Sequence, residues 1–244
     1  MKRLLIALIV VLSPAATLAA GGGVHLDEAG IDTTDKESLR RGAKMFVDYC
    51  LGCHSAKFQR YSRMARDLEI EEEALLSDYM VGVEKPGETM QVAMTEKMAK
   101  SWFGTKIPDL SLVARSRGPD WLYTYLRSFY IDEKRPFGVN NALFRGVSMP
   151  HVLWELQGWQ KAVFKAGPDG QLTDQIERLE LVKPGRLSAA EYDAAVRDLV
   201  NFLSYVGEPV QNKRRQLGMW VIAFLVVFFI LAYLLKKEYW RDVH

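Results

Sequence analysis

Two cysteines and a histidine lie close enough in this chain to carry redox chemistry. Cys50 and Cys53 are separated by two residues, and His54 follows directly. This Cys-x-x-Cys-His spacing is typical of covalent attachment of a c-type haem. Two thiols at this spacing reach one edge of the same porphyrin, and the adjacent imidazole reaches the iron from one face. A redox dithiol and half of a metal site are the alternatives.

The cysteine count narrows those alternatives. Cys50 and Cys53 are the only two cysteines of the chain, so a four-thiolate zinc site is excluded. A site with two cysteines and two histidines needs a second histidine besides His54. The remaining candidates are His25, His151 and His244. The motif therefore favours a single covalently attached haem c.

The second ligand of the iron decides what such a haem does. Electron transfer favours a six-coordinate iron, and a methionine sulfur raises its potential. Among nine methionines, Met149 lies in a loop directly before Pro150, whose ring restrains the backbone. From spacing alone Met149 is the leading candidate, while His151 and an open position remain as alternatives.

The N-terminus has the pattern of a secretory signal peptide over residues 1–20. Lys2 and Arg3 precede a short apolar stretch, and small residues follow near Ala19. The alternative is an uncleaved anchor, but the apolar stretch is too short to cross a bilayer comfortably. The sequence therefore predicts export, which agrees with haem attachment outside the bacterial cytoplasm.

A second apolar segment near the C-terminus predicts a membrane anchor. Residues 217–235 contain no charge, and about 20 apolar residues suffice for a membrane-crossing helix. Basic residues flank both ends, so the signal peptide decides the orientation. We expect residues 21–212 in the periplasm, an anchor at 213–235 in the bacterial inner membrane, and a cytoplasmic tail at 236–244.

The charge of the exported part is mildly acidic. Residues 21–212 hold 24 basic and 28 acidic side chains, a net charge of −4. The acidic residues are densest over residues 67–73. This balance favours a basic soluble partner and disfavours nucleic acid. The alternative explanation of residues 67–73 is the solvated start of a helix.

Hydrophobic periodicity predicts a mainly α c-type cytochrome domain with long loops, plus one C-terminal transmembrane helix. Residues 132–187 are rich in Gly, Pro and Asn and predict loops, with a small hairpin around residues 167–170. The expected helices cover about residues 35–50, 70–79, 91–102, 120–129 and 188–206.

Two of these helices are expected to pack against each other. The last one begins with a capping box at Ser188 and Glu191. Its apolar stripe should contact the helix that precedes Cys50, where Gly42 permits close approach. The contacting residues are expected to be Leu199, Phe202, Leu203 and Val206 on one helix and Ala43, Phe46 and Val47 on the other.

Taken in order, four features resemble the cytochrome c1 family. After the Cys-x-x-Cys-His motif come Pro108-Asp-Leu-Ser with Arg115 and Arg117, then Asn140-Asn141 leading to Met149-Pro150. Asn201-Phe-Leu, Gly207-Glu-Pro, a basic cluster and a single apolar span complete the likeness. It covers nearly all of the chain that follows the signal peptide.

The resemblance implies a role for six residues. Cys50 and Cys53 would hold the haem, with His54 and Met149 as its axial ligands. Pro108 would contact the ring, and Arg115 would pair with a haem propionate, for which the alternative is a surface salt bridge.

The resemblance also implies a subunit of the proton-translocating ubiquinol–cytochrome c reductase. The chain alone would be an electron carrier and would make or break no substrate bond. It would accept an electron from the Rieske iron–sulfur protein, pass it to a c-type cytochrome, and lie beside cytochrome b in a dimeric complex. The rival classes are a membrane-tethered monohaem cytochrome c outside this complex that feeds a terminal oxidase, and a haem sensor or peroxidase with an open iron.

Overall fold

The computed structural model describes residues 25–167 and 171–242. The predicted signal peptide at 1–20 lies outside these residues. Within them the chain folds into a mainly helical domain with three two-stranded antiparallel sheets and a long C-terminal helix. This architecture confirms the predicted fold class.

Helices and short strands alternate along the chain. The helices are α1 (Lys36–Tyr49), α2 (Tyr61–Leu68), α3 (Glu72–Ala74) continued by a π-helix (Leu75–Tyr79), α4 (Glu96–Phe103), α5 (Val113–Arg117), α6 (Pro119–Arg127), α7 (Trp154–Gln157), α8 (Ala189–Gly207) and α9 (Gln211–Tyr239). The strands are β1 (Ala56–Arg60) with β2 (Thr89–Met90), β3 (Phe129–Ile131) with β4 (Val139–Asn141), and β5 (Gly158–Ala166) with β6 (Leu172–Pro184).

The core is built on the predicted packing of α1 against α8. The rings of Phe46 and Phe202 lie 5.8 Å apart, and both side chains are fully buried. A Cβ atom at Gly42 would lie 2.0 Å from the backbone oxygen of Asp198. Only glycine therefore permits this approach, as the sequence predicted. The buried Asn201 amide also donates to the Ser38 hydroxyl over 2.9 Å, which fixes the register of the pair.

The two long helices of the domain both begin with side-chain caps, of which the box at Ser188 and Glu191 was predicted. Asp35 accepts a hydrogen bond from the Ser38 backbone nitrogen at 3.0 Å and starts α1. Ser188 and Glu191 form a reciprocal capping box at the start of α8. Such caps satisfy backbone donors that have no partner inside the helix, so they define where each helix starts.

The shorter helices differ from the prediction at their ends. The acidic segment holds only one α-helical turn before it widens into the π-helix. The helix expected from residue 91 begins at Glu96, because the Thr95 hydroxyl caps it by accepting from the Met98 nitrogen. The aromatic helix α6 ends at Arg127, and the next residues form strand β3 instead.

The prediction that residues 132–187 consist mainly of loops is wrong. Strands β5 and β6 form a long antiparallel hairpin, in which Ala162 pairs with Leu179 and Phe164 with Ile176. Ala162 and Phe164 are two positions apart and therefore share one face of β5. A register shift between Val163 and Phe164 brings Ile176, three positions from Leu179, opposite Phe164. The other face carries charged partners such as the facing pair Lys161 and Glu180. The charges between the apolar positions hid this period-two pattern.

The C-terminal helix α9 spans Gln211–Tyr239 and is long and apolar enough to cross a membrane. Among the described residues it is the one helix that meets this description. Its apolar side chains are exposed rather than packed in the domain. The helix continues through residue 239, so the tail expected from residue 236 begins as part of the helix.

Candidate functional site

The Cys-x-x-Cys-His motif forms a turn directly after α1. The Cys50 nitrogen still donates to the Phe46 oxygen at 2.9 Å, which completes the last helical turn. The Cys53 and His54 nitrogens then donate to the Cys50 oxygen at 3.0 and 2.8 Å. Because α1 is packed in the core, it fixes the backbone positions of Cys50, Cys53 and His54.

His54 is oriented by the backbone of Pro108. The His54 Nδ1 lies 2.8 Å from the Pro108 carbonyl oxygen, which only accepts hydrogen bonds, so Nδ1 carries the proton. Nε2 is then left with its lone pair, the form in which an imidazole binds a metal. Burial lowers the pKa of His54 and favours this neutral form.

The Pro108-Asp-Leu-Ser segment is bonded along its length to the chain that follows His54. The Leu110 nitrogen donates to the Ser55 oxygen at 2.7 Å. The Asp109 carboxylate accepts from the Lys57 nitrogen, and the Ser111 hydroxyl accepts from the Phe58 nitrogen, both at 3.1 Å. Each of these three residues thus fixes the Pro108 carbonyl relative to the histidine.

Both cysteines are unpaired, and Cys50 is buried. Burial raises the pKa of the Cys50 thiol to about 12 and also raises that of Cys53. Both groups are therefore neutral thiols near pH 7 and are not poised as reactive thiolates. This disfavours the alternative of a redox dithiol. Within the described part of the chain, no cluster of three or more His, Cys, Asp or Glu side chains suits a metal ion.

One cavity of about 530 Å³ brings five of the six predicted site residues together. Its lining includes Cys50, Cys53, His54, Pro108 and Met149. These residues come from three segments that are distant in sequence. A concave, mainly apolar site of this size is typical of cofactor binding.

Met149 reaches the cavity from a loop that two asparagines organise. The Asn140 side-chain oxygen accepts from the Gly146 nitrogen at 2.9 Å, and the Asn141 oxygen accepts from the Phe144 nitrogen at 3.0 Å. The Tyr125 hydroxyl donates to the Met149 sulfur at 3.4 Å. Tyr125 was not among the predicted site residues, although its place in a short aromatic helix was a usable sequence signal.

Trp121 also lines the cavity and stacks on Tyr125 with 5.0 Å between ring centroids. It therefore forms part of the wall as well as part of the packing of α6.

His151, the rival of Met149 in the sequence, lies behind the cavity wall. Its ring stacks on Phe129 at 5.0 Å, and the side chain is buried. Burial lowers the pKa of His151 to about 4. It is not among the residues that line the cavity. The geometry thus favours Met149, whose role as a ligand remains a prediction.

Arg115 does not line this cavity. Its guanidinium forms an ion pair with Glu208 at the end of α8, the surface salt bridge that the sequence left as the alternative. The cavity is lined instead by Arg117, which lies 5.0 Å above the Trp121 ring. Among the described residues Arg117 forms no ion pair. The propionate role of Arg115 stays a prediction, and Arg117 becomes a second candidate.

The donor set of the cavity fits a covalently attached haem. Two neutral thiols are available to form thioethers, and an imidazole offers Nε2 as an iron ligand. A thioether sulfur is present on the same cavity, and aromatic side chains cover the wall between them. These groups match the haem ligation chemistry of a six-coordinate c-type cytochrome.

Comparison with known proteins identifies the family of the chain. The sequence model of the Cytochrome C1 family matches residues 27–161 and 182–243. The chain is 54% identical over its full length to cytochrome c1 of Allochromatium vinosum, which is also fully covered. It is 49% identical over its full length to a protein of Nitrosomonas europaea named ammonia monooxygenase gamma subunit, of which 98% is covered. Cytochrome c1 of Cereibacter sphaeroides is 26% identical over 95% of this chain and 92% of its own. The chain belongs to the cytochrome c1 family.

Proposed function

We propose that this chain is the haem-carrying electron-transfer subunit of a quinol–cytochrome c oxidoreductase. Cys50 and Cys53 would hold one haem c covalently, and His54 and Met149 would bind its iron. When bound, the haem supplies one-electron redox chemistry between its ferric and ferrous states. The enzymatic activity belongs to the complex, and this chain is an electron carrier within it.

The proposal includes the partners and the place of the chain. The chain accepts one electron from the Rieske iron–sulfur protein and passes it to a c-type cytochrome. Helix α9 anchors it beside cytochrome b in the bacterial inner membrane, within a dimeric complex. Residues 21–212 then lie in the periplasm, and residues 236–244 contain the cytoplasmic end. Family membership and the apolar exposed α9 support this arrangement.

The residues of the site hold and tune the iron ligands. The Pro108 carbonyl keeps the proton of His54 on Nδ1, so Nε2 is always available and correctly directed. The Tyr125 hydroxyl orients the Met149 sulfur and draws electron density from it. The apolar wall excludes water, which favours the less charged ferrous form and raises the potential.

The single observation that carries the proposal is the shared cavity. The Cys-x-x-Cys-His turn and Met149 lie almost 100 residues apart in sequence, yet both line the same space. An open iron site does not require a thioether sulfur there. This favours an electron carrier over a haem sensor or peroxidase.

We also propose that Arg117 contacts a haem propionate. Its side chain reaches the cavity, and a guanidinium binds a carboxylate through two parallel hydrogen bonds. Arg115 remains the alternative, since its ion pair with Glu208 is exposed and exchangeable. Arg117→Leu and Arg115→Leu separate the two, because removing a propionate's partner shifts the haem potential and its pH dependence.

Replacing Met149 tests the ligand assignment. Met149→Leu should abolish the weak sulfur-to-iron band at the red end of the ferric spectrum and lower the midpoint potential. His151→Gln is the matched control and should leave that band in place. The reverse pattern would assign the iron to His151, and two unchanged spectra would contradict the role of both.

Purification from membranes tests the place in the complex. The tagged chain, extracted in mild detergent, should co-purify with b-type haems, and quinol should reduce both haem types. A c-type band that quinol does not reduce, without b-type haem, would favour the tethered monohaem cytochrome instead.

A further inference from the structure

Four exposed basic side chains lie on or near one side of the cavity. Lys106 and Arg117 belong to its lining. Lys57 follows His54 by three positions in β1, and Lys100 lies in α4. All four side chains are exposed. We call Lys57, Lys100, Lys106 and Arg117 the basic rim.

The three lysines of the basic rim lie close together in space. Lys106 forms an ion pair with Glu96 at the start of α4. The charges of Lys100 and Lys57 further lower the pKa of Glu96, so both ammonium groups lie within electrostatic range of it. The backbone of Lys57 is also held at the site, because its backbone nitrogen donates to the Asp109 carboxylate at 3.1 Å.

Acidic groups on this face do not cancel the basic ones. Among the described residues, the carboxylates of Glu96 and Asp109 contact the basic rim, against its three lysines. Arg117 is not counted, because the proposed function pairs it with a haem propionate. The Asp109 carboxylate already accepts hydrogen bonds from two backbone nitrogens, those of Lys57 and Ser111. The mouth of the cavity therefore carries an excess of positive charge.

Large apolar side chains lie beside the basic rim. Phe58 is 64% exposed and Trp102 is 57% exposed, and each is the neighbour or near neighbour of a rim lysine. Leu112, which lines the cavity, is 49% exposed. Apolar groups next to an exposed ring of charge are typical of protein interfaces.

The acidic run of residues 67–73 lies far from this face. Glu69 forms an ion pair with Lys36, the first residue of α1, whereas Cys50 follows the last residue of the same helix. Fourteen residues of α-helix separate these two points by about 21 Å. None of residues 67–73 lines the cavity. The acidic run is therefore not placed to meet a partner at the cavity mouth.

We propose that the basic rim docks the soluble electron acceptor, and that the acceptor presents an acidic surface around its own redox centre. This inference rests on the proposed function. It reverses the sign of the partner favoured by the net charge of −4, because local charge at the docking face steers association more than the total does. Glu96 and Asp109 face the rim without changing its sign.

Electron transfer to acceptors of opposite charge tests the proposal. The quinol-reduced complex is mixed in a stopped-flow instrument with an acidic or a basic c-type cytochrome of similar potential. The oxidation rate of the c-type haem is recorded between about 10 and 200 mM salt, a range over which the Debye length falls severalfold. The acidic cytochrome should react faster, and its rate should fall with salt.

Two charge-reversal variants locate the docking face. The double substitution Lys57→Glu and Lys100→Glu should slow the acidic acceptor by about 10-fold or more at low salt. The control Glu72→Lys and Glu73→Lys, on the acidic run, should leave that rate unchanged. Both complexes should keep the wild-type c-type spectrum and the wild-type rate of haem reduction by quinol.

Three results would overturn the proposal. The first is a wild-type complex that reacts faster with the basic acceptor. In the second, only the control variant changes the oxidation rate. In the third, reversal of the rim slows haem reduction by quinol and spares oxidation, which would assign the rim to the iron–sulfur donor. A wild-type chain that quinol cannot reduce would instead refute the proposed function, so the two failures are distinguishable.

Discussion

Gly42→Ala should destabilise the domain although alanine favours helices. The added Cβ would lie 2.0 Å from the Asp198 carbonyl oxygen and 2.8 Å from the Phe202 Cβ, whereas ordinary contact begins near 3.4 Å. Helices α1 and α8 must therefore separate by more than 1 Å, since the obstacle is backbone. Overpacking typically costs about 1–3 kcal/mol, and a clash with backbone belongs at the upper end or beyond. Helix propensity returns about 1 kcal/mol.

The net loss should be about 2–3 kcal/mol of unfolding free energy. The assay is a guanidinium titration of the haem-loaded full chain in detergent, followed through the haem absorption band. Gly87→Ala is the matched control, because its Cβ would meet no atom within 4 Å, and it should stay within about 0.5 kcal/mol of wild type. A Gly42→Ala protein as stable as the control would show that the two helices yield freely, and the packing argument would fail.

Three further predictions follow from contacts around the site. Tyr125→Phe removes the donor to the Met149 sulfur and should lower the midpoint potential by about 20–60 mV, measured by redox titration, if the bond acts mainly on one oxidation state; an unchanged potential contradicts it. Ser111→Ala leaves the Phe58 nitrogen without its acceptor and should cost about 1–3 kcal/mol in the same guanidinium assay; no loss means that water replaces the hydroxyl. Two arginines lower the pKa of Glu208 from 4.5 to about 2, so its stabilising contribution is complete above about pH 4.5 and is lost as the pH falls through 2. The difference in melting temperature between wild type and Glu208→Gln should therefore shrink below pH 4.5, and a constant difference would argue against this ion pair.

Local signals predicted the elements that local forces specify. The cap at Ser188 and the packing at Gly42 appear in the structure as expected. Each depends on a few adjacent residues or on one helical stripe. A small hairpin was predicted around residues 167–170, but the length of β5 and β6 was not, because charged residues are interspersed among the apolar ones of both strands. In such a strand the apolar face becomes visible only when the partner strand is known.

The candidate site was predictable as a motif but not as an arrangement. The spacing of Cys50, Cys53 and His54 predicts the attachment chemistry without any structure. The contact of Pro108 with His54 runs through a backbone carbonyl, which every residue possesses, so no side-chain pattern could indicate it. Only the fold reveals which carbonyl lies beside the imidazole.

The two arginines of α5 also show that a sequence pattern does not predict which side chain enters the site. Arg115 and Arg117 are two positions apart, and residues at this spacing point about 200° away from each other on an α-helix. One guanidinium therefore reaches the cavity while the other pairs with Glu208. Both residues are arginines, so the sequence alone does not show which one reaches the cavity. The orientation of this short helix against α8 decides it.

The segment that contains α5 also connects the site to α9. The segment from Pro108 to Arg117 holds the His54 imidazole at one end and Glu208 near the other. Glu208 also accepts from Arg214 in the first turn of α9, at 2.5 Å. The backbone of this segment and the contacts at its two ends thus connect His54, the predicted iron ligand, to the candidate membrane helix. Under the proposed function, a one-electron carrier that serves a fixed donor needs its redox centre at a constant position relative to the membrane. This segment is placed to hold that position, and no residue of α9 lines the cavity.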